Sequence, residues 1–211
     1  MMILDLLSNS DDYSKITTES ARQTRQLRRP VCCHIRMARF VAFLRAVNVG
    51  KRTVAMATAR QALEDLGFAD VGSYVNSGNL LFTATGPVSD HEVAIRARLE
   101  AVYGFELTTF VRTAAQVREL VGFRPFGDIA AGHTHFGLLP LTRLTGTEKR
   151  AVEGLSNDHD EVVVHGRDLH WLIRSRSTET TLGPKQWKAA LPNNPTTARN
   201  MTMLTKLAER L

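Results

Sequence analysis

From residue 37 onward, hydrophobic and polar positions follow two periodic patterns that alternate along the chain, one typical of strands and one typical of helices. Short apolar runs with β-branched and aromatic residues, such as residues 39–47, are typical of buried strands. Between them lie segments whose apolar residues have helical spacing, such as the one that ends at Gly67. The pattern predicts strands at residues 39–47, 71–76, 80–84 and 106–111, with helices after the first, third and fourth strands.

The second part of the chain repeats this order. It predicts strands at residues 133–139, 161–165, 168–174 and 196–199, with helices after the first, third and fourth. A β-α-β-β-α-β run is the signature of the split β-α-β, or ferredoxin-like, sheet. We therefore predict an α+β fold of two tandem ferredoxin-like repeats, each with a C-terminal helix, at residues 37–122 and 133–211. Residues 123–132 form the linker, and a single mixed sheet is the alternative fold.

Helix-start signals fall at matching places in the two repeats. Capping boxes are predicted at residues 89–92, 113–116 and 145–148, because Ser or Thr precedes Glu or Gln by three residues at each. An arginine stands directly before the cap of each repeat's last helix, at Arg112 and at Arg199. Alternate residues of each first strand should face that repeat's helices, namely Phe40, Ala42 and Leu44 in one and Thr134, Phe136 and Leu138 in the other.

The first 36 residues show neither the strand pattern nor the helix pattern of hydrophobic positions. They are rich in Ser, Thr, Gln, Asp and Arg, which favours a disordered leader, or a start codon assigned too early with Met37 as the true start. A basic arm or a targeting segment is the alternative. Both cysteines, Cys32 and Cys33, lie in this leader, so we expect no disulfide in the folded part and a reducing, cytoplasmic location.

The composition excludes several classes of protein. A hydrophobic fraction of 43% and a charged fraction of 23% are ordinary for a globular protein. No apolar run approaches the roughly 20 residues of a membrane-spanning helix, so no membrane partner is expected. Residues 37–211 carry 21 of the 27 basic and 17 of the 21 acidic residues, and this balance of +4 permits an anionic partner but lacks the basic excess of a dedicated nucleic-acid binder. Nucleic acid is therefore only weakly supported.

Four short motifs resemble one bacterial family. The loop FLRAVNVGKR at residues 43–52 is followed by YVNSGNLLF at residues 74–82, GPKQ at 183–186 and TARNM at 197–201. This set is similar to the domain of unknown function 1697 family, and the resemblance covers residues 37–211. Ala46 replaces a loop glycine of the family pattern, and Met201 stands where the pattern has tryptophan. The resemblance implies no activity, because the family's function is unknown.

The first candidate site joins the loop after the first strand to the turn before the third. In a split β-α-β sheet the first two strands run parallel, so this loop and this turn lie at one end of the sheet. Backbone N–H groups, a helix N-terminus and fixed cations suit phosphate or another oxyanion. The candidate ligand-binding residues are Arg45, Asn48, Lys51, Arg52, Asn76, Ser77 and Asn79. Alternatively, the asparagines only satisfy turn backbones and the cations are solvated.

The second candidate site consists of Lys185, Arg199 and Asn200. The start of the helix that carries Lys185 and the end of the last strand should meet at one end of the second sheet. Arg199 then lies beside the N-terminus of the final helix and could contact an anion. The alternative is an arginine that donates to carbonyl groups across the interface between the repeats.

Other chemistry has little support in the sequence. His133, His135 and His170 are expected on one sheet face, but no acidic residue at strand spacing completes a metal site, so we predict no metal and no cofactor. No G-x-S-x-G motif or cysteine nucleophile occurs after residue 36. Stacking of RNA bases needs exposed aromatic residues on the sheet, and Phe43 is expected between the repeats instead.

Three functional hypotheses follow. The leading one is a binding protein for a phosphate-containing or nucleotide-like anion. The second is an enzyme acting on a phosphorylated small molecule, for which Glu64, Asp65 and Asp70 are the nearest acid or base candidates to the first site. The third is a structural or interaction module with no small ligand.

Overall fold

In the described part of the chain, eight strands and six α-helices follow one another in the order that the hydrophobic pattern predicts. The computed structural model of the protein describes residues 37–45, 47, 53–75 and 78–211, so the predicted leader lies outside the described residues. The first half contains β1 (Ala38–Leu44), α1 (Met56–Glu64), β2 (Ala69–Ser73), β3 (Asn79–Ala84), α2 (Val88–Tyr103), β4 (Thr109–Thr113) and α3 (Ala114–Gly122). The second contains β5 (Thr134–Pro140), α4 (Gly146–Glu153), β6 (Asp160–His165), β7 (Asp168–Ile173), α5 (Pro184–Ala190), β8 (Thr196–Asn200) and α6 (Met201–Ala208).

Each half forms its own four-stranded antiparallel sheet. The strand order is β2-β3-β1-β4 in the first sheet and β6-β7-β5-β8 in the second. The predicted α+β class is confirmed, and the alternative of a single mixed sheet is wrong. None of the helices in the described part of the chain is long and apolar enough to cross a membrane.

Strand register matches the two sheets residue by residue. Leu44 lies opposite Thr109 on the neighbouring edge strand, just as Pro140 lies opposite Thr196. On the other side, Phe43 lies opposite Asn79. The pairing of Leu138 with Leu169 in turn sets Leu139 opposite Asp168. Leu44 therefore corresponds to Pro140, Asn79 to Asp168, and Arg112 to Arg199.

The helix-covered face of each sheet carries three aromatic rings in corresponding positions, which we call the aromatic trio of that half. Phe40, Ala42 and Leu44 are buried against α1 and α2, as predicted. Phe136 and Leu138 pack against α4 and α5, whereas Thr134 stays partly exposed. Ring centroids of Phe40 and Phe82 lie 5.3 Å apart, and those of Phe136 and Trp171 lie 5.7 Å apart. The third ring packs edge-on against the second ring in both halves, with His91 on Phe82 and Trp187 on Trp171.

The opposite faces of the two sheets share one core with α3 and α6. Phe43 is fully buried there, between the halves, as predicted, together with Leu120 and Leu204. Gly137 on β5 allows α6 to approach closely, because a Cβ at this position would lie 2.7 Å from Leu204 Cδ1. The two halves are therefore joined by apolar packing as well as by the chain.

Helix caps follow the sequence signals with one exception. Thr113 and Thr145 form the predicted capping boxes, and the Asn200 side chain accepts a hydrogen bond from the Thr202 N–H. The predicted box at residues 89–92 is wrong, because α2 begins at Val88 with no side-chain cap. The Glu92 carboxylate accepts from the backbone of β4 and so does not reach back to the helix start.

Arg112 reaches from the edge strand of the first sheet into the second half. Its guanidinium is fully buried and donates to both carboxylate oxygens of Asp168, with Nη2 to Oδ1 at 2.7 Å. Nη2 also donates to the carbonyl of Pro140, the last residue of β5, at 2.7 Å. Nη1 donates to the carbonyl of the preceding residue, Val111. One side chain thus connects β4 with the first and third strands of the other sheet.

Arg199 makes the corresponding contacts in the reverse direction. Its Nη2 donates to the carbonyl of Leu44, the last residue of β1, at 2.7 Å, and its Nε donates to Asn79 Oδ1 at 3.0 Å. Nη1 donates to the preceding carbonyl, that of Ala198. Burial lowers the pKa of Arg199 to about 10, so it stays charged at neutral pH. We call these two sets of contacts the reciprocal arginine contacts. They differ in charge at one acceptor, since Arg112 meets the carboxylate of Asp168 and Arg199 the neutral amide of Asn79.

We predict that Arg112→Met destabilises the protein more than Arg199→Met. Loss of Arg112 leaves the Asp168 carboxylate buried without its cation, at a cost of about 3–5 kcal/mol. Loss of Arg199 leaves neutral acceptors, at a cost of about 1–3 kcal/mol. Urea unfolding followed by circular dichroism measures both. Adding Asp168→Asn to Arg112→Met should recover part of the loss, and equal costs for the two single variants would contradict the assignment.

Candidate functional site

A cleft of about 970 Å³ opens on the helix-covered face of the second half. Its floor is apolar and includes both tryptophans of the chain, and its rim carries cationic side chains from α5 and from the end of β1. The residues that form the cleft are Arg45, Leu138, Trp171, Leu182, Pro184, Lys185, Trp187, Lys188, Leu191, residues 192–196 and Ala198. The first half contributes to this lining through Arg45.

The cleft exists because α5 is shorter than its counterpart. The equivalent helix of the first half, α2, has 16 residues, whereas α5 has 7. At the α-helical rise this is about 24 Å against about 10 Å of covering helix. Pro192 and Pro195 follow α5 and cannot continue it, so the loop leaves part of the sheet uncovered.

The described lining of the cleft carries positive charge and no carboxylate. Arg45, Lys185 and Lys188 are all exposed, and none forms an ion pair with a described residue. Among the described residues that line the cleft, none is Asp or Glu. An anion near this rim therefore meets attraction from three side chains and no like charge from the described lining.

The structure brings together residues from both candidate sites. Arg45 from the first and Lys185 from the second line the same cleft. The predicted meeting of the two loop ends also occurs, because the Leu44 N–H donates to the Gly78 carbonyl at 2.8 Å. The other candidates in these two loops are Asn48, Lys51, Arg52, Asn76 and Ser77, and they lie outside the described residues.

Three candidate residues lie away from the cleft. Asn79 is fully buried, and its Nδ2 donates to the Tyr74 carbonyl at 3.0 Å while its Oδ1 accepts from Arg199. Arg199 follows Ala198 on the strand, so it points to the opposite sheet face. There it donates to the Leu44 carbonyl and to Asn79 Oδ1 of the first half. This is the alternative role for Arg199 that the sequence left open, an arginine that donates to carbonyl groups across the interface. Asn200 caps α6 and lines a second pocket of about 240 Å³ with His133 and His135.

Asp160 fixes one wall of the cleft and carries no signal in the sequence. It is fully buried and accepts hydrogen bonds from the Trp171 Nε1–H, from both Thr180 and Thr181 hydroxyls and from the Thr181 N–H. Burial raises its pKa, but these hydrogen bonds and one from His159 outweigh burial and hold the pKa at about 2. The carboxylate thus ties the segment before α5 to the cleft floor. Apart from the adjacent His159, these partners lie 11 to 21 residues along the chain, which no local pattern reveals.

Two of the three candidate histidines are in contact. His135 Nε2 and His170 Nδ1 lie 3.1 Å apart, and His170 is fully buried against Phe123. Burial lowers the pKa of each imidazole to about 4. In the part of the chain that the structure describes, no group of three His, Cys, Asp or Glu side chains is placed to hold a metal ion.

Comparisons with known proteins define the family and the fold. The family model described as "Protein of unknown function (DUF1697)" matches residues 37–170, so the chain belongs to this family. A solved structure of the conserved bacterial protein SP0830 from Streptococcus pneumoniae is similar, with a TM-score of 0.62 and 20% sequence identity. The similarity covers 83% of this chain and 99% of that chain, and at this identity it shows the fold alone. No curated protein sequence matches significantly.

We predict that Asp160→Asn destabilises the protein by about 2–3 kcal/mol at pH 7, because the amide presents a donor to groups that must donate. The folded pKa of Asp160 lies below its unfolded value, so its stabilisation is present above about pH 4 and is lost as the pH falls towards 2. Urea unfolding at pH 7 and pH 3 measures both effects. The exposed neighbour Asp158→Asn should change stability by less than about 0.5 kcal/mol. A cost equal to that of this control would contradict the role of Asp160.

We predict that the histidine pair makes the protein acid-sensitive. The unfolded chain binds protons below about pH 6.5, whereas the folded imidazoles stay neutral down to about pH 4. Stability is therefore full above pH 6.5 and falls as the pH decreases towards 4. The double variant His135→Phe, His170→Phe should flatten this slope in urea unfolding between pH 7 and pH 4.5. An unchanged slope would show that other groups cause it.

Proposed function

We propose that the protein binds a small anion with a flat ring, such as a phosphate-containing, nucleotide-like compound, in the cleft beneath α5. The observation that carries this proposal is the combination of three cations that form no ion pair with a described residue and a floor that contains two tryptophans. Ligand sites of drug-sized molecules are concave and mostly apolar, with a few polar groups that orient the ligand, and they measure roughly 300–1,000 Å³. The cleft matches this description.

The two parts of the cleft suit two parts of one ligand. Arg45, Lys185 and Lys188 supply charge for phosphate or carboxylate oxygens. Trp187 and Leu182 supply apolar contact area for a ring, where stacking on an aromatic side chain contributes about 1–3 kcal/mol per base. Asn48, Lys51 and Arg52 follow Arg45 in the sequence and stay predicted contacts of the same ligand.

The cleft favours binding over catalysis. Among the described lining residues there is no carboxylate, imidazole, cysteine or serine, so the amines of Lys185 and Lys188 and the hydroxyl of Thr196 have no such group beside them to activate them. An enzyme acting on a phosphorylated small molecule remains the second hypothesis, with Glu64, Asp65 and Asp70 as its acid or base candidates, of which Asp65 forms an ion pair with Arg98. Nucleic acid receives no support from Phe43, whose ring is buried between the halves.

We also infer that each half is a split β-α-β, or ferredoxin-like, unit, at residues 37–122 and 133–211. The supporting observations are the equal strand orders, the crossover helices on one sheet face and the matched registers of the two sheets. Residues 123–133 contain no helix or strand, which fits a linker at 123–132.

Intrinsic tryptophan fluorescence tests the proposed function directly, because the only two tryptophans of the chain both line the cleft. We expect adenosine 5′-monophosphate to change the emission, and adenosine to bind at least about tenfold more weakly because it lacks the charge. The double variant Arg45→Ala, Lys185→Ala should weaken binding by at least about tenfold. Lys206→Ala, an exposed lysine of α6, is the matched control and should stay within about twofold. No response to nucleotides, sugar phosphates or inorganic phosphate would overturn the proposal.

A further inference from the structure

One position differs in charge between the two halves exactly where the cleft opens. The aromatic trios place His91 of α2 and Trp187 of α5 in equivalent positions. The next residue is Glu92 in the first half and Lys188 in the second, and each is the fifth residue of its helix. A carboxylate in one half is thus replaced by a cation in the other.

Glu92 shows what this position contacts. Its Oε1 accepts a hydrogen bond from the Val111 N–H at 2.9 Å and lies 3.6 Å from Arg167 Nη2 and 3.9 Å from Arg112 Nη1. Burial raises the pKa of Glu92, and the Val111 N–H and the two guanidinium groups oppose that rise. The first half therefore holds a carboxylate on a backbone N–H, with two cations beside it.

The Val111 N–H is available because β4 is an edge strand. Residues that face each other in an antiparallel pair alternate between hydrogen-bonded and non-bonded pairs. The Arg45 N–H donates to the Thr108 carbonyl, which makes Leu44 and Thr109 a non-bonded pair. Two residues further along, Val111 is also in a non-bonded pair, so its N–H points away from the sheet.

The same alternation leaves the Ala198 N–H pointing outward from β8. The Leu141 N–H donates to the Pro195 carbonyl, so Pro140 and Thr196 are a non-bonded pair, as are Leu138 and Ala198. Ala198 is exposed and lines the cleft. Among the described residues, none replaces Glu92 as the acceptor for this N–H.

The second half also has space where the first half is filled. Arg167 precedes Asp168 in the second half. Its side chain extends into the space beside Glu92 of the first half and fills it. Its counterpart precedes Asn79 and is Gly78, which has no side chain. A Cβ on Gly78 would lie 3.1 Å from Leu44 Cβ, and the residue's φ of +76° favours glycine. Donor, charge and space therefore all remain, while no described residue of the lining supplies a carboxylate.

We infer that the outward N–H of Ala198, with Lys188 and Arg45 beside it, is the oxyanion subsite of the cleft. A carboxylate or phosphate group of the ligand binds there as the Glu92 carboxylate binds in the first half. This inference rests on the proposed function, and it specifies which atoms hold the anionic group and leaves the apolar floor for the rest of the ligand.

Backbone amide signals of ¹⁵N-labelled full-length protein test the subsite. Inorganic phosphate and adenosine 5′-monophosphate are the probes, and adenosine is the uncharged control. We expect the Ala198 signal to move with both anions, and the Val111 signal to stay, because Glu92 already occupies that N–H. Lys188→Glu should weaken both anions by at least tenfold, whereas the same charge change at Lys206→Glu should stay within about twofold.

Lys188→Glu also gives a test without any probe. The new carboxylate should occupy the subsite itself and move the Ala198 amide signal of the free protein, and Lys188→Gln should not move it in the same direction. If the tryptophans respond to a probe but the Ala198 amide does not, the subsite is wrong and the proposed function stands. If no probe binds, the proposed function and the subsite both fail.

Discussion

Two guanidinium groups, that of fully buried Arg112 and that of partly buried Arg199, hold the halves of this protein in one arrangement. Arg112 and Arg199 each leave an edge strand and donate to the carbonyl at the end of the other half's first strand. Each also donates to the first residue of the other half's third strand, Asp168 or Asn79. Because carbonyl and side-chain acceptors are fixed on rigid strands, these contacts set the distance and the rotation between the sheets.

The position of the cleft depends on this arrangement. The Leu44 carbonyl accepts from Arg199, and the next residue, Arg45, lines the cleft over the second sheet. In the other half, Leu141 follows Pro140 as Arg45 follows Leu44, so Leu141 is the counterpart of Arg45. Arg167 donates to the Leu141 carbonyl and lies beside Glu92, and these two side chains fill the space that corresponds to the cleft. One interface thus contains an ion pair between Arg167 and Glu92, whereas the described residues of its counterpart supply cations only. The two matched sheet units therefore differ in charge at this position.

The sequence predicts those parts of the structure that depend on local pattern. Strand alternation identified Phe40, Ala42 and Leu44 as inward-facing, and the Thr113 and Thr145 boxes have partners only three residues away. The box at residues 89–92 failed because a tertiary partner, the Val111 N–H, takes the Glu92 carboxylate.

The candidate site was only partly predictable, for the same reason. Arg45 and Lys185 were identified by charge and loop position, but their meeting at one cleft depends on contacts between the halves. Arg199 was placed correctly before its helix, while its partner Asn79 lies 120 residues away. The hydrogen bonds that buried Asp160 accepts become visible only in the folded protein. The difference in charge between Glu92 and Lys188 becomes visible only when the two folded halves are compared.

The anion site exists because the second half has Lys188 where the first half has Glu92. A crystal structure of the protein with adenosine 5′-monophosphate bound is the decisive test of this claim. We expect a phosphate oxygen within about 3 Å of the Ala198 nitrogen, with the ring on the apolar floor beside Trp187 and the Glu92 carboxylate still bound to the Val111 N–H. A phosphate bound instead beside His133 and Asn200, or one that displaces Glu92 from the first half, would contradict it.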